Sequence, residues 1–155
     1  MSHPNISESV VINAPKDVVW EVLADFPNIA DWTASLKSSV QTSEAFNGVG
    51  AERHCELVPF GSLDERIVEW VPGEKIVIDV YKTTKIPVKR SLTTFSLEAI
   101  DAGTTRATMA PEPEAKGGPM AGVIEKRIRK GLPKAAVSLL NELKSTTERQ
   151  NQAAA

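Results

Sequence analysis

The chain has 155 residues, 41% of them hydrophobic, and its 18 basic and 20 acidic residues leave a net charge of −2. A chain of this size forms one globular domain with a sizeable core, burying roughly 70% of the surface that it exposes when unfolded. The near balance of charge argues against nucleic acid as a partner, because phosphate recognition needs clustered Lys and Arg.

Cysteine content and hydropathy bear on location. Cys55 is the only cysteine, so no disulfide can form within the chain, which fits a cytoplasmic protein. Residues 1–8 lack the apolar run of a signal peptide, and no stretch approaches the ~20 apolar residues that cross a membrane. We therefore expect a cytoplasmic protein with no stable membrane insertion, a single domain over residues 1–149 and a disordered tail over 150–155.

Hydrophobic periodicity predicts a strand, two short helices, six strands and a long C-terminal helix. In chain order, the predicted strand covers 6–12, the helices 13–24 and 28–36, the six strands begin at 40 and cover 51–58, 63–71, 75–82, 88–100 and 104–109, and the last helix covers 120–148. Asn13 is expected to cap the first helix.

Two segments near the C-terminus contain helix- and strand-breaking residues. Residues 111–119 contain three Pro and two Gly and are expected to be irregular. Gly131 and Pro133 lie inside the last predicted helix, so we expect a kink or break near Leu132. The exposed basic cluster over 126–130 is interpreted as a solvated helix face, with a weak membrane-surface role as the less favoured alternative.

An antiparallel meander with helices gathered on one side is an α+β arrangement. The long amphipathic helix must bury its apolar stripe, and the concave face of a curved sheet is the only large surface available to it. Such a sheet rarely closes completely around one helix, so a cavity between them is expected.

Several short motifs resemble the Bet v 1-like superfamily, whose bacterial members are often described as polyketide cyclase/dehydrase, SRPBCC or START-like proteins. The motifs are Val11-Ile12-Asn13-Ala14-Pro15, then Val18-Val19-Trp20, Phe26 and Trp32, then Val49-Gly50-Ala51-Glu52-Arg53, Asp64-Glu65-Arg66-Ile67 and Ile86-Pro87-Val88. The resemblance implies a helix-grip fold, in which a curved antiparallel sheet wraps around a long C-terminal helix and two short helices follow the first strand.

A more local likeness is to plant abscisic acid receptors. The segment 89–94 is similar to their Tyr-Arg-Ser-Val-Thr-Thr strand, Lys37 falls near their ligand-carboxylate lysine, and Glu65 falls on their pocket glutamate. Lys89 replaces the tyrosine, and residues 58–61 replace their gate loop. The likeness therefore implies pocket positions and not hormone binding.

Alternation along strands predicts which side chains face the cavity. The sets are Arg53 with Cys55 and Leu57, Glu65 with Leu63 and Ile67, and Ser91 with Lys89, Thr93 and Phe95. The parity of strand 75–82 stays open, since hydrophobicity favours Ile76, Ile78 and Val80, whereas the family's inward aromatic residue favours Tyr81.

The predicted ligand-binding residues combine a cation and a carboxylate for a polar head group with apolar residues for the body of the ligand. They are Lys37, Arg53, Leu57, Glu65, Ile67, Ser91, Thr93, Phe95, Ile124 and Ile128. Glu65, Arg53 and Tyr81 are the candidates for a catalytic role. The alternative for Arg53 and Glu65 is that they only bridge each other inside the barrel or reach solvent at its ends, since buried charges are costly unless paired. For Lys37 and Lys89 the favoured alternative is an exposed side chain.

Other chemistry lacks support in the sequence. His54 is expected to face outward, Cys55 to be a small core residue without a His-Asp partner set, and no metal or cofactor motif is found. Three hypotheses for function follow. The first is binding of a hydrophobic or amphipathic small molecule, the second a polyketide cyclase, aromatase or dehydratase using the same cavity, and the third a protein-partner module with a filled core.

Overall fold

The computed structural model describes residues 6–154, and His3 lies outside the described residues. In chain order the elements are β1 Glu8–Ile12, α1 Lys16–Ala24, a 3₁₀ helix Phe26–Asp31, β2 Leu36–Gln41, β3 Glu52–Leu57, β4 Ser62–Val71, β5 Lys75–Thr84, β6 Val88–Asp101, β7 Thr104–Ala115 and α2 Ala121–Ala154.

The seven strands form one antiparallel curved sheet in the order β1-β7-β6-β5-β4-β3-β2. From β2 to β7 each strand pairs with the next along the chain, and β1 returns to pair with β7. The predicted α+β helix-grip architecture, with two short helices after the first strand and a long C-terminal helix, is confirmed.

The core lies between the concave face of the sheet and the C-terminal part of α2. Its largest fully buried side chains include Ile12, Phe26, Ile67, Ile76, Leu140 and Leu143. Polar contacts fix α2 at two further points. Glu142 accepts hydrogen bonds from the Thr33 hydroxyl and the Ala34 amide, both at 2.7 Å, and Glu148 accepts one from the Asn13 amide at 2.8 Å. Burial of the apolar stripe therefore positions the helix, and these carboxylates set its register.

The helices that follow β1 differ from the prediction in two respects. Asn13 does not cap α1, since the N-cap residue is Pro15, and the Asn13 amide bonds to Glu148 instead. The second helix begins at Phe26 and ends at Asp31, not at Leu36. The Ser39 hydroxyl of β2 accepts from the Ala30 amide and donates to the Pro27 carbonyl, which ties the short helix to the sheet and leaves Leu36 to begin β2.

Residues 111–115, predicted to be irregular, belong to β7. Pairing of β1 with β7 ends at Met109, so Pro111 and Pro113 lie where β7 is an edge strand. They are two residues apart and thus direct their missing N–H toward the same, open side, which a sheet edge tolerates. Pairing with β6 continues past both prolines.

The C-terminal helix runs without a break through Pro133, where the sequence predicted a kink or break near Leu132. Ile128 and Ala136 are buried on either side of Pro133, and this packing outweighs the weak helix propensity of Gly131 and Pro133. The same helix includes residues 150–154, where the sequence predicted a disordered tail over 150–155.

Candidate functional site

A cavity of about 330 Å³ lies between the concave face of the sheet and the middle of α2. Its wall comes from the 3₁₀ helix, the segment that follows it, β2 to β7, and α2. The lining residues are Ile29, Thr33, Ser35, Leu36, Arg53, Leu57, Leu63, Glu65, Val80, Ile86, Val88, Ser91, Thr93, Phe95, Met109, Pro111, Leu132, Ala135 and Leu139. The wall is mainly apolar, so it suits a ligand body that water solvates poorly.

Arg53 and Glu65 are the two charged residues of this lining, and they lie opposite each other on β3 and β4. The Arg53 Nε donates to Glu65 Oε1 at 2.9 Å, and both residues are buried, at 4% and 7% exposure. Arg53 Nη1 also donates to the Phe26 carbonyl at 2.8 Å, and its Cζ lies 3.8 Å from the centroid of the Phe26 ring. The protein itself therefore pairs the two charges, which is the alternative in which Arg53 and Glu65 bridge each other.

The Cys55 thiol lies next to this pair and is fully buried. Its Sγ donates to Glu65 Oε1 at 3.4 Å. Burial, and secondarily the negative charge of Glu65, raise the pKa of the Cys55 thiol far above its ordinary value. A neutral thiol is a poor nucleophile, so Cys55 is a core residue, as the sequence indicated.

Hydroxyl groups supply the other polar atoms of the cavity wall. Ser91 and Thr93 are buried on β6 with 3.3 Å between their hydroxyl oxygens, and Thr33 and Ser35 form a similar pair at 2.9 Å. Hydroxyls can both donate and accept, so they can adapt to a carbonyl or a hydroxyl of a ligand.

Six of the ten predicted ligand-binding residues line the cavity: Arg53, Leu57, Glu65, Ser91, Thr93 and Phe95. The other four are elsewhere. Lys37 is exposed on β2, Ile67 is fully buried in the core, and Ile124 and Ile128 lie on α2 before the turns that reach the cavity. The cavity contacts α2 only from Leu132 onward.

Tyr81 and Lys89, for which the sequence left two orientations open, do not face the cavity. Tyr81 lies on the opposite face of β5, where its hydroxyl donates to Glu52 at 2.7 Å, and Val80 faces the cavity instead. Lys89 is exposed near Glu114 because the pairing of β6 with β7 shifts between Val88 and Arg90, which breaks the alternation counted back from Ser91.

His54 lies on the outer face of β3, as predicted, but both of its ring nitrogens are engaged. Nδ1 lies 2.8 Å from Asp64 Oδ1, and Nε2 lies 2.7 Å from Glu56 Oε2. The hydrogen bond with Asp64, followed by that with Glu56, raises the pKa of His54 above its ordinary value of 6.5. The imidazolium therefore contributes stability below pH 6.5 that is lost as the pH rises through the raised pKa.

We expect the stability advantage of the wild type over His54→Gln to be largest in acid and to shrink as the pH rises. Urea unfolding of both proteins between about pH 5 and pH 9 measures it. Parallel stability–pH curves would show that the two carboxylates do not favour the protonated ring.

Most of the apolar lining was not identified from the sequence. Ile29, Thr33 and Ser35 were assigned to a helix or left without a role, and Ile86, Val88, Met109 and Pro111 belong to strand ends and turns. Val80 was one of two open parity choices. The register of the meander could have resolved this choice. Val80 lies opposite Glu65 on β4 and opposite Ser91 on β6, so these three residues share one face.

A comparison of the sequence with protein families identifies one whose description agrees with an apolar ligand cavity. A family model described as polyketide cyclase / dehydrase and lipid transport matches residues 3–147. The chain belongs to this family. The polyketide cyclase/dehydrase assignment expected from the motifs is thereby confirmed. A comparison with the curated proteins finds no significant match.

Several solved structures share the fold of this chain. The Zhui aromatase/cyclase from Streptomyces sp. R1128 has 20% sequence identity and a TM-score of 0.83, with 96% of each chain covered. A START superfamily protein from Mycobacterium smegmatis has 13% identity and a TM-score of 0.73, covering 94% of this chain and 99% of that one. A protein from Thermus thermophilus has 16% identity and a TM-score of 0.78, covering 93% and 97%. At these identities the likeness concerns the fold alone.

Two further properties concern residues 6–154. None of the helices in this range is long and apolar enough to cross a membrane. The same range contains no group of three or more His, Cys, Asp or Glu side chains arranged to hold a metal ion.

Proposed function

We propose that the protein binds one hydrophobic or amphipathic small molecule, a lipid, a polyketide or a compound of similar character, in the cavity between the sheet and α2. We further propose that it holds this molecule without transforming it. The observation that supports both parts is an apolar cavity whose two charged lining residues, Arg53 and Glu65, are bonded to each other.

The bonding of Glu65 bears on general acid–base chemistry. Oε1 of Glu65 accepts from both Arg53 and Cys55, so the protein itself already engages this oxygen, whereas a catalytic acid or base must be able to reach a ligand proton. The polar groups better able to serve a ligand are the hydroxyls of Ser91 and Thr93. The volume of about 330 Å³ falls near the lower end of the roughly 300–1,000 Å³ typical of small-molecule sites.

The first test is whether a ligand occupies the cavity. Native mass spectrometry of the purified protein, followed by denaturing analysis of whatever is released, should give a reproducible adduct that leaves on unfolding. An adduct that survives unfolding, or protein that carries no adduct and binds no apolar fluorescent probe, would contradict the proposal.

Thr93→Phe is expected to weaken binding of an apolar fluorescent probe at least ~10-fold, because a phenyl ring at this position occupies the cavity. Thr93 is buried and lines the cavity, whereas Thr94 is the next residue on the other face of β6. Thr94→Phe is thus the matched control and should leave the probe affinity unchanged. Equal loss in both variants, in titrations followed by fluorescence, would place the probe outside the cavity.

A second candidate function is catalysis of the polyketide cyclase, aromatase or dehydratase type. The observation in its favour is that Arg53 and Glu65 both lie on the cavity wall, where they could orient a chain for cyclisation. The fold of an aromatase/cyclase supports it only by analogy. Glu65→Gln discriminates, since an enzyme that uses this carboxylate would lose turnover while keeping affinity, and a carrier would change only modestly in affinity.

The protein-partner interpretation receives the least support. It required a filled core, and a cavity of about 330 Å³ is not one. The proline-rich segment 111–119, which such a module could have offered as a contact loop, also belongs in large part to β7.

A further inference from the structure

The first turns of α2 carry a solvent face that combines cations with an exposed apolar residue. We call this the basic face, and it consists of Val123, Lys126, Arg127, Lys130 and Lys134. At roughly 100° per residue these five side chains fall within about one quarter to one third of the helix circumference. The buried residues Ile128 and Ala136 lie on the opposite side.

This face lacks acidic residues. Between residues 120 and 141 the sequence contains one acidic residue, Glu125, which is half-buried and lies 4.0 Å from Arg129. Whereas the whole chain has a net charge of −2, this surface of α2 is therefore locally positive. Local charge of this kind attracts anions within about 8 Å at physiological ionic strength.

The basic face lies at the same end of the molecule as the mouth of the cavity. Leu132 of α2 lines the cavity, and so do Leu57 and Ile86, which flank the β3–β4 and β5–β6 turns. Phe60 in the β3–β4 turn is 61% exposed, and Lys85 in the β5–β6 turn is also exposed. Exposed aromatic and aliphatic side chains thus accompany cations around the opening.

We propose that this end of the protein docks on the surface of a lipid bilayer that contains anionic lipids. The basic face contacts the lipid phosphates, while Phe60 and Val123 enter the head-group region. Cations interleaved with exposed apolar side chains are what the interface of a bilayer binds, and neither part alone suffices. An acidic protein would satisfy the cations but leaves the exposed Phe60 without a role.

The consequence for the cargo rests on the proposed function. Docking in this orientation places the cavity mouth against the bilayer, so an apolar ligand can pass between the two without crossing water. The docking itself does not depend on a ligand and can be measured on the protein as purified.

Charge removal tests the basic face. We expect co-sedimentation with vesicles of phosphatidylcholine containing phosphatidylglycerol, and none with phosphatidylcholine alone. Lys126→Gln, Arg127→Gln and Lys130→Gln together should weaken this binding at least ~50-fold, at roughly fivefold per cation. The matched control is Lys75→Gln, Arg106→Gln and Arg149→Gln, which has the same net charge and alters residues at the other end of the sheet and helix. Equal losses in the two triple variants would overturn the proposal.

Phe60 and Phe46 provide a matched apolar pair. Both are exposed, but Phe46 lies in the β2–β3 connection, at the end of the sheet away from the cavity mouth. We expect Phe60→Ser to weaken vesicle binding ~10-fold and Phe46→Ser to leave it unchanged. An unchanged affinity for Phe60→Ser would show that the contact is purely electrostatic and would overturn the proposed orientation.

The two proposals fail separately. Binding of the apolar probe without vesicles reports on the cavity and should be the same in all these variants. If the wild type binds the probe but neither vesicle type, the docking proposal is wrong and the cavity proposal stands. An acidic protein as the true partner of the basic face would give that outcome. If vesicles bind but the probe does not, the cavity proposal is wrong and the docking stands.

Discussion

Replacing Arg53 by methionine is expected to destabilise the fold by about 3–5 kcal/mol, because Glu65 is then left buried without its partner. The same change removes the donor to the Phe26 carbonyl. Unfolding by urea, monitored by tryptophan fluorescence, measures the effect.

The double variant Arg53→Met with Glu65→Met should recover part of this loss. It removes the unpaired charge, while the Phe26 carbonyl still lacks its donor. Lys75→Met is a suitable control because it breaks an exposed ion pair with Glu69 and should cost no more than about 1 kcal/mol. If Arg53→Met costs no more than this control, then Arg53 does not stabilise the buried carboxylate.

Leu140→Ala is expected to cost about 2–5 kcal/mol, because Leu140 is 1% exposed and packs in the core between α2 and the sheet. Its neighbour Leu139 is half-buried and lines the cavity, so part of its side chain already faces empty space. Leu139→Ala should therefore cost clearly less stability and should enlarge the cavity instead.

Thermal unfolding and titration with the apolar probe together check this pair. We expect Leu140→Ala to lower stability with little change in probe affinity, and Leu139→Ala to change probe affinity with the smaller loss of stability. The reverse assignment of the two effects would mean that the cavity continues past Leu139 into the region that we describe as core.

Strand parity identified the charged centre of the site because alternation is a local property. Counting in twos led from Arg53 to Leu57 and, separately on β6, from Ser91 to Thr93 and Phe95, and all of these residues line the cavity. Whether the two charged residues bridge each other depends on the register between β3 and β4, which counting along one strand does not give.

The errors arose where alternation or period changes along an element. A register shift moved Lys89 out of the cavity, and a similar irregularity in β2 lies between Leu36, which lines the cavity, and Ser38, next to the exposed Lys37. Tyr81 was considered because related proteins favour an inward aromatic residue, whereas hydrophobicity had favoured Val80. Alternation thus predicts side-chain orientation in regular stretches of strand. At a bulge the orientation can be predicted only when the pairing with the neighbouring strand is known.

The other errors arose because the sequence does not show how far one element extends along its neighbour. Prolines at 111 and 113 suggested an irregular segment because the sequence does not reveal that β1 begins opposite Met109 and leaves the rest of β7 as an edge. Likewise, which turns of α2 reach the cavity depends on how far the helix slides along the sheet. Glu142 and Glu148 set that position through contacts with residues more than 100 positions away in the chain.

The return of β1 to β7 bears on the order in which the chain can assemble. Every pair from β2 to β7 is a neighbour in sequence, so that meander can grow hairpin by hairpin. The partners of β1 lie roughly 100 residues downstream, and closing a loop of that length carries the largest entropic cost of any strand pairing in the sheet. On a ribosome, β1 and α1 must therefore wait until β7 has been made, and α2 follows β7 directly, so the compartment for the ligand is enclosed only once α2 has also been made.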